Sequence, residues 1–122
     1  MSKDECRMSF KFENLEVWNE AIKFARMIYQ ATKKFPRTEQ IGLISQMRNA
    51  VISIPSNIAE GTARYHNKDF IRYLRIALGS TYEVVTQLYI ALQENYFDES
   101  KFKVLYEQGS KVANMLNALI KK

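Results

Sequence analysis

Apolar residues recur every three or four positions through four long segments of the chain, a spacing that places them on one face of an α-helix. The pattern predicts helices over residues 15–34, 38–60 and 67–95, and a fourth from residue 99 onward. The connecting segments are short, so consecutive helices should be antiparallel neighbours. We therefore predict an all-α fold, an antiparallel up-down-up-down four-helix bundle, and find no competing β-strand pattern.

The first predicted helix is apolar on two adjoining faces. One stripe is Leu15, Trp18, Ile22, Ala25, Tyr29 and Thr32, and the other is Val17, Ala21, Phe24 and Ile28. A helix with two apolar faces packs against neighbours on both of those faces. We expect it either to lie deep in the bundle or to contact another subunit as well.

The second predicted helix contains Pro55, which lacks the N–H that would bond the carbonyl of Val51. We predict a kinked helix, with the kink at residues 53–55. The alternative is a break into two shorter helices, with Pro55 in the first turn of the second. Thr38 is the expected N-cap of this helix, and Gly61 is the expected stop at its end.

Gly79 lies in the middle of the third predicted helix, where glycine costs about 1 kcal/mol relative to alanine. Close approach of another backbone, within the subunit or between subunits, would explain it. Together with the two apolar faces of the first helix, this glycine leads to the hypothesis of a homo-oligomer.

The length of 122 residues fits one domain, which we assign to residues 13–122, with residues 1–12 as an N-terminal extension. Cys6 is the only cysteine, which excludes an intrachain disulfide and favours a cytoplasmic location. No segment resembles a signal peptide or a membrane span. We expect a cytoplasmic protein without membrane contact.

Residues typical of catalysis are scarce. His66 is the only histidine and lies in a polar turn, and the carboxylates do not form the Glu-x-x-His pattern of metal sites in bundles. The four glycines are isolated, so no phosphate-binding glycine loop is present. We expect no enzymatic activity, no metal and no cofactor.

Positive charge is unevenly distributed in a chain whose net charge is +5. Residues 62–76 carry four cations against Asp69 alone, and in the predicted topology they lie at the same end of the bundle as the two C-terminal lysines. The candidate nucleic-acid-binding residues are Arg64, Lys68, Arg72, Arg75, Lys121 and Lys122. They could bind phosphates without reading bases. Ordinary solvated helix faces explain the same pattern equally well.

Two tyrosines flank this basic stretch and could stack on unpaired bases. Tyr73 lies beside the apolar stripe of the third helix and is expected to pack. Tyr65, in the turn, is the freer of the two.

Four segments resemble the family of four-helix bundle proteins encoded in intervening sequences of bacterial 23S ribosomal RNA genes. They are FENLEVWNEAIKFARMIY, KKFP, QMRNAVISIPSNIAEG and FIRYLRIALGSTYE, within residues 12–97. The family motif falls on Gln46, Arg48, Ser53, Pro55, Asn57, Glu60, Gly61, Gly79, Ser80 and Glu83, as structural or interface residues. One departure is Asn49, where many relatives have a second arginine.

The resemblance implies a ring-like homopentamer and a similarity to the accessory proteins of diversity-generating retroelements, which bind nucleic acid and a reverse transcriptase. Our leading hypothesis is a non-catalytic homo-oligomer that binds RNA or DNA non-specifically. The alternative is a structural or adaptor protein that docks a protein partner and has no nucleic-acid role. A regulatory or toxin–antitoxin component is a third option.

Overall fold

Four α-helices make up most of the computed structural model, which describes residues 10–122. They are α1 (Glu16–Thr32), α2 (Leu43–Thr62), α3 (Asn67–Gln93) and α4 (Glu99–Ile120). Short 3-10 turns at Lys11–Asn14 and Arg37–Glu39 precede α1 and α2. Cys6 and most of the expected N-terminal extension lie outside the described residues.

Each helix packs against two others, in a closed order. α2 contacts α1 and α3, and α4 contacts α3 and α1. The prediction of an all-α four-helix bundle is confirmed. Because consecutive helices run in opposite directions, the beginning of α1, the α2–α3 connection and the end of α4 share one end of the bundle.

The core consists of apolar side chains from all four helices. Those that are fully buried include Phe24, Ile28, Met47, Ile54, Ile58, Leu74, Leu88, Leu105 and Leu116. On α1, the stripe from Val17 to Ile28 is the buried one. Residues 15, 18, 22, 25 and 29 of the other stripe are only partly buried, so α1 keeps an apolar flank beside the core.

α2 continues without interruption through Pro55, so the alternative of two shorter helices is wrong. Side chains around the proline provide local hydrogen bonds. The Asn57 amide donates to the Ser53 carbonyl at 2.8 Å and to the Ser53 hydroxyl at 3.0 Å, and that hydroxyl lies 2.8 Å from the hydroxyl of Ser80 on α3. The predicted kink itself stays a prediction.

Several predicted helix ends differ from the structure. Thr38 lies in a 3-10 turn and does not cap α2; α2 begins at Leu43, whose N–H donates to the Glu39 carboxylate at 3.2 Å. α3 ends at Gln93, because Asn95 adopts a φ of 62° and the following Tyr96 N–H bonds the Ala91 carbonyl at 2.9 Å.

The first helix begins at Glu16, one residue later than predicted. Asn14 belongs to the preceding 3-10 turn, and the cap position is Leu15. The predicted start of α4 is confirmed: Asp98 accepts a hydrogen bond from the Lys101 N–H at 2.9 Å.

Gly61 was expected to end α2, and this prediction is wrong. It still belongs to the helix, one residue before its end, and is buried beside Phe70 and Tyr73 of α3. A Cβ at this position would lie 2.9 Å from the Tyr73 Cβ and 3.0 Å from the Phe70 Cδ1. The absent side chain therefore permits the close approach of α2 and α3.

This close approach predicts a strong effect of Gly61→Ala. The added methyl must displace Tyr73 next to its backbone, and we expect a loss of about 1–3 kcal/mol in the free energy of unfolding. The matched control is Gly109→Ala, also inside a helix, whose Cβ would meet only the outer atoms of Phe24 and Val85 at 3.1 Å. Both variants replace a helical glycine by alanine, so urea unfolding compares a contact next to the backbone with contacts at the ends of side chains. Equal losses in the two variants would refute the assignment.

At the opposite end of the bundle, Tyr96 joins the α3–α4 connection to the segment before α2. Its hydroxyl donates to the Glu39 carboxylate at 2.6 Å, and its ring packs 5.1 Å from that of Phe35. The hydrogen bond to Glu39, and secondarily burial, raise the pKa of Tyr96 from 10.0 to about 12. The same bond, with the Leu43 N–H, lowers the pKa of Glu39.

The raised pKa of Tyr96 predicts that this interaction stabilises the fold fully below pH 10 and is lost as the pH rises towards 12. For Glu39 the pH dependence runs the other way. Its hydrogen bonds stabilise the fold fully above pH 4.5, and this stabilisation is lost in more acidic solution. Tyrosinate absorbance should show a component near pH 12 that disappears in Tyr96→Phe and moves towards pH 10 in Glu39→Gln. A component unchanged in Glu39→Gln would contradict the assignment.

Candidate nucleic-acid interface

The predicted cations of residues 62–76 gather around the α2–α3 connection. Arg64 lies in the connection itself, and Lys68, Arg72 and Arg75 follow on α3, all exposed. At about 100° per residue, the three α3 cations share the helix face opposite Leu74 and Ala77, which are fully buried. Because α3 buries the face of Leu74 and Ala77, its cations lie in a row on the solvent-exposed face.

Tyr73 holds two of the arginines. The Arg64 guanidinium donates to the Tyr73 hydroxyl at 2.5 Å, and its Cζ lies 4.8 Å from the centre of the tyrosine ring. The Cζ of Arg72 lies 5.5 Å from the same ring. Tyr73 itself is half-buried because its Cβ packs on Gly61. The α2–α3 contact therefore fixes the aromatic side chain that orients both cations.

No carboxylate within residues 10–122 forms an ion pair with these cations. The single ion pair in this part of the chain joins Lys111 to Glu20 at 3.4 Å, on α4 and α1. Arg64, Lys68 and the two other α3 cations have no acidic partner there.

Lys121 and Lys122 follow the end of α4 and are exposed. The topology brings them to the same end of the bundle as the α2–α3 connection. The hydrogen bond and ring contacts of Arg64 and Arg72 go to Tyr73 and do not involve these lysines. The two lysines add positive charge to this end of the bundle.

The structure adds residues that the sequence analysis missed. The Lys11–Asn14 turn packs against the end of α2 and leaves a groove beside the α2–α3 connection. Its lining consists of Lys11, Leu15, Gly61, Thr62, Arg64, Tyr65, His66, Asn67 and Phe70. Lys11 lies outside the periodic segments of the sequence. Its position in the same groove as Arg64 is therefore evident only from the folded structure.

The family-motif residues serve other roles. Arg48 donates to the Thr32 hydroxyl at 3.0 Å and to the Tyr29 carbonyl at 3.3 Å, with its Cζ 4.5 Å from the centre of the Tyr29 ring. It thereby ties α2 to the end of α1. Its guanidinium is occupied within the bundle, so it is not part of the basic surface.

The remaining motif residues lie on α2 and α3. On α2 they are Gln46, Ser53, Pro55, Asn57, Glu60 and Gly61, and on α3 they are Gly79, Ser80 and Glu83. Ser53, Ser80 and Gly61 lie at the contact between the two helices, whereas Gln46, Glu60, Gly79 and Glu83 are exposed. Glu83 accepts a hydrogen bond from the nearly buried Gln87 at 3.4 Å. Asn49, the departure from the family pattern, is exposed on α2.

Gly79 has no close neighbour within the subunit. A Cβ at this position would meet no described heavy atom within 4 Å outside its own stretch of helix. The explanation by close packing within the subunit is therefore wrong, and contact between subunits stays a prediction.

Within residues 10–122, no group of three or more His, Cys, Asp or Glu side chains is placed to hold a metal ion. None of the helices in this part of the chain is both long and apolar enough to cross a membrane. The absence of enzymatic activity stays a prediction.

Comparisons with known proteins agree with the sequence resemblance. The model of the family described as 23S rRNA-intervening sequence protein matches residues 13–118. A crystal structure at 1.70 Å shows a similar fold: a protein with unknown function from the S23 ribosomal protein family of Bacteroides thetaiotaomicron. The two chains are 22% identical with a TM-score of 0.78, over 87% of this chain and 99% of the other. No curated protein matches significantly.

Proposed function

This chain belongs to the family of 23S rRNA-intervening sequence proteins, and from that premise we propose that it is a non-catalytic homo-oligomer that binds RNA or DNA without reading base sequence. One observation carries the proposal. The cations Arg64, Lys68, Arg72 and Arg75 lie together at one end of the bundle, and no carboxylate within the described residues pairs with them.

The arrangement of these cations suits a polyphosphate backbone. Lys68 and Arg75 are separated by seven residues of α3, a rise of about 10 Å. Neighbouring cations in the row are separated by a rise of only about 4.5–6 Å. This spacing is within the Debye length of about 8 Å at physiological ionic strength, so their fields reinforce one another. Phosphates that bind such a row release counterions, which makes the affinity depend strongly on salt.

The row consists of cations, which suit phosphate oxygens. Arg64 and Arg72 are held against Tyr73, and Lys68 and Arg75 are exposed. Phosphate contacts position a protein on nucleic acid without carrying sequence information. Non-specific binding is therefore the mode that this surface supports.

Exposed apolar residues around Gly79 support association with further copies of the chain. Ile76, Tyr82 and Ile90 are each about half exposed on α3. Gly79 lies among them and would let a second backbone approach. A ring-shaped pentamer is the assembly that the family resemblance implies. In a cyclic ring every subunit presents its basic end in the same direction, which multiplies the field at that side.

Reversal of the four cations should abolish most of the binding. We expect Arg64→Glu, Lys68→Glu, Arg72→Glu and Arg75→Glu together to lower affinity for an oligonucleotide by about tenfold or more at low salt. The slope of log affinity against log salt for duplex DNA should fall by roughly 3 to 4, since each phosphate contact contributes about 0.9. Fluorescence anisotropy over a salt series measures both.

The matched control reverses four exposed cations of α1 and the residues after it, namely Lys23, Arg26, Lys33 and Lys34. It changes the net charge by the same amount but lies away from the α2–α3 connection. If the control lost as much affinity as the reversal at the connection, binding would depend on net charge alone and the proposed surface would be wrong.

The proposed self-association predicts an oligomeric mass for the wild-type protein at micromolar concentration. Gly79→Arg places a long cation in the α3 face and should shift the mass towards the monomer. Asn114→Arg, on the exposed face of α4, is the control and should leave the mass unchanged. Native mass spectrometry measures all three proteins. A monomeric wild type would rule out the homo-oligomer.

A second candidate function is an adaptor that docks a protein partner, for example a reverse transcriptase. An aromatic group on α3 and α4 favours it: the partly exposed Tyr89 and Tyr106 pack with Phe102, at ring-centroid distances of 4.9–6.3 Å. Purification from the native cell with and without nuclease separates the functions. A directly bound protein persists after nuclease treatment, whereas partners held through nucleic acid do not.

A further inference from the structure

The turn between α2 and α3 presents an aromatic side chain that the fold does not use. Tyr65 is fully exposed, and its ring takes part in none of the ring contacts or hydrogen bonds found within residues 10–122. Tyrosine is enriched at interfaces, because its ring is apolar and its hydroxyl is polar. A tyrosine left in water beside a basic cluster is a feature that a ligand would explain.

Two grooves adjoin this tyrosine, and Lys11 of the Lys11–Asn14 turn lines both. The first is described above and contains Phe70 and Leu15 on its wall. The second is lined by Phe10, Lys11, Phe12, Ala59, Thr62, Ala63, Arg64 and Tyr65. Lys11, Arg64 and Tyr65 line both grooves. Each groove therefore combines apolar walls with the same two cations and the same aromatic ring.

This combination matches the chemistry of an unpaired nucleotide. A flat base has two apolar faces, which stack on aromatic side chains, and its phosphate requires a cation nearby. In a duplex the faces of the bases are stacked on one another and cannot reach a side chain at the surface. Only a single strand, or a strand end, offers both groups to the turn.

We propose that the α2–α3 turn binds an unpaired nucleobase on Tyr65, so that the protein prefers single-stranded to double-stranded nucleic acid. This inference rests on the proposed function, because the row of cations supplies the backbone contacts. The base stacks at the turn beside Lys11 and Arg64, and the following phosphates run along α3 past Lys68 and Arg72. Stacking is tolerant of base identity, which agrees with non-specific binding.

Fluorescence anisotropy with labelled oligonucleotides tests the preference directly. The probes are one mixed sequence as single-stranded RNA and single-stranded DNA, and the matching RNA and DNA duplexes, all at the same salt concentration. We expect the wild type to bind both single strands more tightly than either duplex. Equal or tighter binding of both duplexes would overturn the inference and leave the proposed function standing. Absence of binding to all four probes at low salt would defeat both.

Variants of Tyr65 locate the effect. Tyr65→Ala should weaken single-strand binding by roughly 5- to 100-fold, the range expected for loss of one stacked base, with duplex binding unchanged. Tyr65→Phe keeps the ring and should retain the wild-type affinity. The control is Tyr106→Ala, which removes a partly exposed ring on α4 away from the turn. Circular dichroism verifies that each variant is folded.

The outcomes for these variants are separable. Wild-type affinity of Tyr65→Ala for both single strands would overturn the proposed stacking. Equal weakening for single strands and duplexes would also overturn it, since the tyrosine would then contribute to phosphate binding alone. Equal losses in Tyr65→Ala and Tyr106→Ala would show that the effect does not belong to the turn.

Discussion

The close approach of α2 and α3 is the constraint on which the rest of the structure depends. It requires a glycine at position 61, because the Tyr73 Cβ occupies the space of a side chain there. Farther along the same pair of helices, the hydroxyls of Ser53 and Ser80 meet at 2.8 Å. The contact fixes Tyr73, Tyr73 orients Arg64, and the basic surface follows from the packing of two helices.

Most of the fold could be predicted from the spacing of apolar residues, because each helix buries one face. Helix ends were harder, since they depend on hydrogen bonds from residues outside the periodic pattern. α2 begins at Leu43 and not at Thr38, and the Leu43 N–H bonds the Glu39 side chain, which also binds Tyr96, far away in sequence. Gly61 was mistaken for a helix stop because a packing glycine and a terminal glycine look alike in sequence.

The candidate site was only partly predictable. The row of cations on α3 follows from helical geometry, since core residues on one face turn the others outward. The position of Lys11 beside Arg64 depends on how the segment before α1 folds against α2, and that segment has no periodicity. The role of Arg48 was equally hidden: its partners Tyr29 and Thr32 belong to another helix.

The central claim is that nucleic acid contacts the end of the bundle formed by the α2–α3 connection. Ultraviolet cross-linking of the wild-type protein to an oligonucleotide, followed by mass spectrometry of the cross-linked peptides, tests it most directly. The account predicts cross-links within residues 62–76, with Tyr65 among the modified side chains. Cross-links confined to residues 23–37, the other basic segment, would contradict it.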